Sequence, residues 1–432
     1  MEVEDYFITF GCWNNGYCGD KTTNGLSMIM DRLLREDRNF NKLIVLGDNY
    51  YPDSVKLEGK KDKSDIKTTK KKDKSVSKTT KKKDKSEKSI KDKKDKKVKG
   101  IKIKKLNRRK LEKGFDCLSN VADHLDAQVY LLTGNHETDR LLDDVEYTPE
   151  TIEENSYNCL SLHLQQGIVY NNDRFNLIGW DPTGLSDAGY FDIKHSNTMI
   201  YIFLDTNIYD DMDEMCSYDI RTFREIVKMK IIEELSENPG KSVTFFGHVP
   251  LFTCRIKDDE DVGSLCNNSN KIFLDIFDNP DIFKILLDVK HIYYICADTH
   301  YYQQSMITLK SGLVLTQYIV GTGGADLDVH SDEIGLCLPT NKVKKGRELP
   351  IPSDYISESY IIQSEDTFGY LKCAVFNGQL NTMFVNVDYG SKLPRKIKGT
   401  KKKKQNKNNK NKLNKLKKTI NKKNKKKKRK KL

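Results

Sequence analysis

The first part of the chain alternates short apolar runs with one amphipathic stretch. The apolar run Tyr6–Phe10 predicts a buried strand that ends at Gly11, and the spacing of apolar residues across Leu26–Arg35 predicts a helix. A second buried strand is predicted at Leu43–Leu46, immediately before Gly47. Because strand–helix–strand units are typical of α/β folds, this pattern predicts a fold of that class.

The later pattern adds strands that no helix separates. Apolar and polar positions alternate through Phe368–Val387 on both sides of Asn377 and Gly378, which predicts a β-hairpin. The mixture of βαβ units and plain strand runs predicts an α/β (α+β) fold, a four-layer αββα sandwich of two mixed β-sheets flanked by helices. The other predicted elements are helices at Arg109–Leu125 and Ile220–Leu235, and strands at Val129–Leu132, Phe175–Ile178, Met199–Leu204, Ser242–Phe246, His291–Cys296 and Val314–Val320.

Two Lys-rich segments stand apart from this pattern. The insertion at residues 56–105 contains the nine residues KTTKKKDKS twice, at 67–75 and 78–86, and offers almost no apolar residues to bury. We therefore expect it to be disordered, as we do the Lys- and Asn-rich tail at residues 391–432. The rest, residues 1–55 and 106–390, is predicted to form a single domain.

The net charge of +13 is divided unevenly. Residues 56–113 hold 28 basic and 9 acidic residues (+19), and residues 391–432 hold 23 basic and no acidic ones (+23), which leaves 24 basic and 53 acidic residues elsewhere (−29). The basic segments are suited to bind nucleic acid or another polyanion without sequence preference, since no aromatic residues are interleaved to stack on bases. Contact with the chain's own acidic body, and a compositional bias with no function, both stay open.

The ten cysteines are scattered, with no CxxC pair. The N-terminus lacks the basic start and apolar run of a signal peptide, and no stretch approaches the ~18 apolar residues of a membrane span. These features predict reduced thiols, with no disulfide between Cys12 and Cys18, in an intracellular protein that does not contact a membrane. A cytoplasmic location is expected, and the basic run Lys425–Lys431 also resembles a nuclear-targeting signal.

Four short motifs with metal-ligand character follow predicted strands. Carboxylate, amide and imidazole groups bind metal ions, and ligand sites in α/β folds form at the carboxyl ends of strands. Taken singly, a Gly-Asp turn or one His has an equally good structural interpretation, but four such motifs in order predict a metal site. The motifs are Gly47-Asp48-Asn49-Tyr50-Tyr51, Gly134-Asn135-His136-Glu137, Gly247-His248-Val249-Pro250 and Ala297-Asp298-Thr299-His300.

In this order the motifs resemble the calcineurin-like metallophosphoesterase family, whose pattern is an early Asp motif followed by GD, GNH, GH and GHxH. Three strings look like its purple acid phosphatase branch: GDNYY at 47–51, FLDT at 203–206 and GTGG at 321–324. The resemblance implies the metallophosphoesterase fold. It also implies phosphate-ester hydrolysis at a dinuclear metal centre.

The resemblance further implies a role for each matching ligand. Asp48 would bridge two metal ions, Asn135 and His248 would bind the second, and His300 would bind the first with Tyr51 as a phenolate. The catalytic His136 would lie near the leaving group. Asn49, Asn14 and Glu137 would support the ligands or contact substrate.

Two positions depart from the family pattern. Cys12 stands where an Asp is expected, and a thiolate ligand there would favour Zn²⁺ or Fe over Mg²⁺ or Mn²⁺, although a buried structural Cys beside Trp13 fits equally well. Asp298 stands where the last motif has its first His, and can bind the second metal through oxygen. We therefore expect a complete second site and a weakened first site, with two ions among Mn, Zn and Fe.

The leading functional hypothesis is a metal-dependent phosphoesterase that acts on a phosphate ester of unspecified class. The alternative is a catalytically impaired pseudoenzyme that keeps the fold as a binding module and associates with nucleic acid through its basic segments. Retention of Asp48 and His136 favours activity, whereas replacement of the first Asp by Cys12 favours the pseudoenzyme.

Overall fold

The computed structural model describes the greater part of the predicted domain. The predictions of disorder lie outside the described residues, apart from the ends of the insertion. All described residues belong to one unit, Met1–Val387. They are residues 3–16, 18, 24–37, 39–51, 53–56, 102–105, 107–138, 160–179, 191–209, 214–215, 218–253, 255–256, 269–330, 335–337, 343–344, 347–348 and 355–387.

Strands outnumber helices in this part of the chain. The strands are β1 Asp5–Phe10, β2 Lys42–Val45, β3 Asp53–Lys56, β4 Lys102–Lys105, β5 Gln128–Leu132, β6 Phe175–Ile178, β7 Phe191–His195, β8 Met199–Leu204, β9 Glu214–Met215, β10 Tyr218–Asp219, β11 Ser242–Phe246, β12 Arg255–Ile256, β13 Ile292–Cys296, β14 Tyr302–Leu309, β15 Val314–Val320, β16 Val329–His330, β17 Gly335–Cys337, β18 Val343–Lys344, β19 Arg347–Glu348, β20 Ile356–Glu365, β21 Gly369–Phe376 and β22 Gln379–Asn386. The helices are α1 Gly25–Leu33, α2 Arg108–Leu125, α3 Asn135–Thr138, α4 Leu160–Tyr170, α5 Ile220–Glu237, α6 Ser269–Ile272 and α7 Pro280–Leu286, with a 3₁₀ turn at Thr206–Tyr209 and a π turn at Phe273–Phe277.

Two mixed sheets contain most of the strands. The first has the order β22-β21-β1-β2-β5-β6, with β1, β2, β5 and β6 parallel and β21 antiparallel to β1. The second has the order β17-β20-β14-β15-β13-β11-β8-β7, in which β15, β13, β11 and β8 are parallel. Antiparallel strands flank this parallel centre on both sides.

The two sheets pack face to face through aromatic side chains. Phe7 of β1 makes edge-to-face contacts with Tyr201 of β8 and Phe246 of β11, at centroid distances of 5.9 and 5.8 Å. All three rings are fully or almost fully buried. Burial of apolar surface between the sheets is therefore a major source of stability for the sandwich.

Helices cover the outer face of each sheet. Leu111 and Phe115 of α2 join the core of the first sheet, and Val227 and Ile231 of α5 join the core on the outer face of the second. Asn107 caps α2 by accepting a hydrogen bond from the Lys110 backbone, so a local signal sets where this helix begins. The predicted sandwich of two mixed sheets between helices is confirmed.

The sequence located the eight parallel strands of the two sheets but missed several antiparallel ones. The predictions for β6, β8, β11 and β15 match the observed bounds, and those for β1, β2, β5 and β13 differ by one residue at one end or both. Strands β7, β14 and β20 were not predicted. In β14, Gln303 and Ser305 are buried polar residues, so the apolar signal of a buried strand is broken there.

The prediction that the thiols are reduced was wrong for one pair. Cys18, in the loop after β1, forms a disulfide with Cys117 of α2, 99 residues away in sequence. Sequence spacing does not determine disulfide pairing, so the partner of Cys18 had no sequence signal. Among the described cysteines, Cys12, Cys296 and Cys373 are free.

No helix in the described part of the chain combines the length and the apolar character that a membrane crossing requires.

Candidate metal centre

The candidate site lies where loops from both sheets meet at the carboxyl ends of parallel strands. Because parallel strands of one sheet end at the same edge, side chains that follow them converge there. The loop contacts are direct: the Cys12 backbone N–H donates to the Gly47 carbonyl (3.1 Å), and the Ala297 N–H donates to the His248 carbonyl (2.8 Å). The candidate residues are Cys12 after β1, Asp48 and Tyr51 after β2, Asn135 and His136 after β5, His248 after β11, and Asp298 and His300 after β13.

Three of these residues share an uncommon backbone conformation. Cys12, Asp48 and Asp298 each lie in the left-handed region, with φ of 55°, 53° and 56°. A residue other than Gly in this region costs on the order of 1–3 kcal/mol, so surrounding contacts must hold it there. The same strained turn therefore directs three polar side chains into one place from three strand ends.

Two glycines allow the loops to approach closely. A Cβ on Gly11 would clash with the side chain of Ala297, and a Cβ on Gly134 would clash with Asp48 Oδ1. Gly at these positions is therefore a steric requirement of the loop contacts.

The Asp48 carboxylate faces two groups of donor atoms. Its Oδ1 lies 3.3 Å from His248 Nε2, and its Oδ2 accepts a hydrogen bond from the Tyr51 hydroxyl (2.8 Å). Burial raises the pKa of Asp48, but His248, His136 and the Tyr51 hydrogen bond outweigh burial, so the pKa lies below its ordinary value. Asp48 is thus a buried carboxylate held in its charged form.

The first group surrounds the fully buried His248. Its Nδ1 donates to the Leu46 carbonyl (2.7 Å), and its Nε2 faces three oxygen atoms. These are Asn135 Oδ1 at 3.0 Å, Asp48 Oδ1 at 3.3 Å and Asp298 Oδ1 at 3.8 Å. Four acceptor atoms that converge in this way need a cation or a second ring proton between them, and their chemistry fits a divalent cation.

The second group lies on the Oδ2 side of Asp48. The Tyr51 hydroxyl is 3.3 Å from His300 Nε2, and His300 Nδ1 donates to the Asp326 carbonyl (2.7 Å). This directs His300 Nε2 toward the site, as in His248. Burial, followed by Asp48 and Cys12, raises the pKa of Tyr51 well above its ordinary value, which favours the neutral phenol.

Cys12 adds a sulfur to this arrangement. The Cys12, Asp48 and His248 side chains each place a ligand atom within 4.8 Å of the other two, and all three are buried. Burial raises the pKa of the Cys12 thiol well above its ordinary value, and the charges of Asp48 and Asp298 raise it further.

His136 lies at the more exposed side of the site. Its side chain is 29% exposed, its ring centroid lies 4.5 Å from that of Tyr51, and its Nε2 is 4.0 Å from Asp48 Oδ2. The His136 backbone N–H also donates to Asp48 Oδ1 (3.2 Å). His136 therefore stands between the buried carboxylate and solvent, where a substrate would approach.

Glu137, predicted to support ligands or contact substrate, lies in the interior and connects the Asp48 loop to the Asn135 loop. Its carboxylate accepts from the backbone N–H groups of Asp48 (3.2 Å), Gly134 (2.6 Å) and Tyr50 (3.1 Å), and from the Gln165 amide (3.3 Å). It is fully buried, and burial, followed by the charge of Asp48, raises its pKa to about 8. Glu137 thus holds the Asp48 and Asn135 loops and is not open to substrate.

Asn49 and Asn14 lie away from solvent as well. Asn49 accepts from the Trp13 indole (2.9 Å) and donates to the Leu132 carbonyl (2.7 Å), so it ties three strand ends together. Asn14 is fully buried against Gly114 of α2, and neither atom of its amide has a hydrogen-bond partner in the described part of the chain. Both are therefore interior residues with no surface exposed to a substrate.

Three residues after β8 support the site without a strong sequence signal. Thr206 Oγ1 accepts from the His248 backbone N–H (3.3 Å), and the Asn207 amide donates to the Gly134 carbonyl (3.1 Å). Asp205 accepts from the Asn207 backbone (3.0 Å). The sequence signal for these residues is the polar run that follows the fully apolar strand β8. The FLDT string at 203–206 includes only its first two residues.

The structure therefore brings eight predicted residues into one cluster and buries three others next to it. Their functions as metal ligands or as a catalytic group remain predictions. The clustered residues are Cys12, Asp48, Tyr51, Asn135, His136, His248, Asp298 and His300. The three buried neighbours are Asn14, Asn49 and Glu137.

No protein-family model and no curated protein matches the chain. Among solved structures, the chain is similar to GAP50, described as the anchor in the inner membrane complex of Plasmodium, with 12% identity and a TM-score of 0.41 over 90% of this chain and 86% of that one. It is also similar to PhoD, with 10% identity and a TM-score of 0.47 over 90% of this chain and 68% of that one. At these scores the similarities carry no argument about family or activity, so functional inference rests on the site.

Proposed function

We propose that this protein is a metal-dependent phosphoesterase with a dinuclear centre around Asp48. The observation that carries the proposal is the division of this carboxylate, whose two oxygens face separate groups of donor atoms. A carboxylate that bridges two cations needs this arrangement. A buried Asp with only a structural role would need one set of hydrogen-bond donors and no second cluster of lone pairs.

One metal ion would be held by Asp48, Asn135, His248 and Asp298. The other would be held by Asp48 with Tyr51 and His300. When bound, divalent cations would polarise the phosphoryl oxygens and lower the pKa of a bound water, so that hydroxide is available as a nucleophile near neutral pH. Nitrogen and oxygen ligands of this kind suit Mn, Zn or Fe.

The protein's own groups would orient and protonate the substrate. His136 is the partly exposed imidazole beside the buried carboxylate, so its Nε2 would donate a proton to the departing alkoxide oxygen. Glu137 would keep the Asp48 and Asn135 loops in register through its three backbone hydrogen bonds. The partly exposed side chains of His136 and Asp298 mark the side from which a phosphate ester would approach.

Hydrolysis of p-nitrophenyl phosphate and of bis(p-nitrophenyl) phosphate tests the proposal. The full-length protein is assayed with added Mn²⁺, Zn²⁺ or Fe²⁺, beside Asp48→Asn, which removes the bridging charge and keeps the size of the side chain. Metal-dependent turnover that Asp48→Asn abolishes is the expected result. Folding of both proteins is checked by circular dichroism.

The absence of turnover with every metal, in folded protein, would refute the proposal and favour the pseudoenzyme. Metal content measured by plasma mass spectrometry then separates two forms of that alternative. Two retained ions would indicate a metal-binding module, and none would indicate a fold that has lost its metal centre.

A further inference from the structure

Two backbone hydrogen bonds fix the position of Cys12 beside the carboxylates of the site. Its backbone N–H donates to the Gly47 carbonyl (3.1 Å), and its carbonyl accepts from Ala325 N–H (2.9 Å). These bonds fix a left-handed conformation that a Cys rarely adopts, and its side chain has no exposed surface. The sulfur is therefore placed by the loop and has little freedom to turn away from the site.

The surroundings of Cys12 differ from those of another buried cysteine. Only burial raises the pKa of Cys373, a free cysteine in β21, as expected of a thiol packed in an apolar core. The Cys12 sulfur instead interacts with the charged carboxylates of Asp48 and Asp298, and also with the Tyr51 hydroxyl and the Asp298 backbone N–H. Packing in an apolar core therefore accounts for the surroundings of Cys373 but not for the polar surroundings of Cys12.

The donor atoms around Asp48 also differ in chemical softness. Asn135 and Asp298 offer oxygen atoms to the His248 side of the carboxylate, and His248 offers a ring nitrogen. Cys12 offers a sulfur within 4.8 Å of an Asp48 oxygen and of a His248 ring nitrogen, and it interacts with Tyr51. A thiolate favours Zn²⁺, Co²⁺ or Fe and disfavours Mg²⁺ and Mn²⁺.

We infer that Cys12 is a thiolate ligand of the metal centre around Asp48 and that its sulfur makes this centre select thiophilic ions. The inference rests on the proposed dinuclear centre. When the ion binds, the sulfur–metal bond forms and the thiol proton is released to the solvent. Replacement of the expected Asp by Cys12 therefore changes the metal preference of the centre without removing a ligand.

Titration of the metal-free, full-length protein with Co²⁺ tests this inference without reference to turnover. A thiolate bound to Co²⁺ produces a near-ultraviolet charge-transfer band that nitrogen and oxygen ligands do not produce. We expect the band in the wild-type protein and in Cys373→Ser, the matched control for loss of a buried thiol. We expect Cys12→Ser to lose the band and one of the two cobalt equivalents.

Cys12→Asp provides the complementary test, since it restores an oxygen ligand. It is expected to keep two equivalents of Co²⁺ without the band and to retain Mn²⁺ better than the wild type. If Cys12→Ser does not fold, zinc-edge X-ray absorption on the wild-type protein reports directly whether sulfur is bound to the metal.

The outcomes distinguish this inference from the function on which it rests. Bound cobalt or zinc without a sulfur ligand, or a band that persists in Cys12→Ser, would overturn the role of Cys12 and leave the dinuclear centre standing. No bound metal at all would overturn both.

Discussion

Replacement of Glu137 by Gln should destabilise the protein although side-chain size is unchanged. Glu137 Oε2 accepts from Gly134 N–H and Asp48 N–H, and Oε1 accepts from Tyr50 N–H. A Gln has one oxygen, so if that oxygen keeps the first two bonds, its NH₂ group faces the Tyr50 N–H. A buried backbone donor without an acceptor costs about 1–3 kcal/mol, and we expect the free energy of unfolding to fall by this amount.

Urea denaturation of the metal-free protein at about pH 9, where Glu137 is ionised because its pKa is about 8, measures this difference without a contribution from bound metal. The unfolding is followed by circular dichroism. The matched control is Glu112→Gln on α2, where the carboxylate is 44% exposed and pairs with Arg108. The control should change stability by no more than about 0.5 kcal/mol. Equal stabilities of the two variants would refute the assignment of Glu137 as the residue that joins the two loops.

The remaining predictions concern other parts of the molecule. His136→Ala should lower kcat about 10²–10⁴-fold at unchanged metal content by mass spectrometry, and loss of metal would show that His136 is a ligand instead of a proton donor. Cys18→Ser should lower the free energy of unfolding by up to about 4–5 kcal/mol, the loop-closure value for ~100 residues, and a reducing agent should destabilise the wild type but not this variant. Deletion of residues 391–432 should weaken nucleic-acid binding in a gel shift and reduce its dependence on salt, and unchanged binding would exclude the tail as the polyanion site.

The sequence predicted best where burial is continuous. Strand β8, Met199–Leu204, is buried at every position, so its apolar run had one plausible interpretation. Strand β20, Ile356–Glu365, mixes buried and exposed positions with a shift of register against β14, and this irregularity hid it. Antiparallel strands at the side of a sheet give weaker patterns because one face is partly solvated.

For the site, the sequence identified the residue types but not their geometry. The order of the motifs was enough to select Asp48 and His248, because each follows a buried strand. The left-handed backbone of Cys12, the two directions of the Asp48 oxygens and the interior position of Glu137 depend on contacts between distant loops. Local sequence does not encode such contacts.

The paired strands β3 and β4 have a consequence for the design of shorter forms of this protein. Lys56 and Lys102 are cross-strand partners, so the two ends of the segment 57–101 lie at neighbouring points. Opposed residues in an antiparallel pair lie only about 4.5–5.5 Å apart at Cα, a gap that a two-residue turn spans. Residues 57–101 can therefore be exchanged for such a turn, or for an unrelated inserted domain, without a change in the path of the chain on either side.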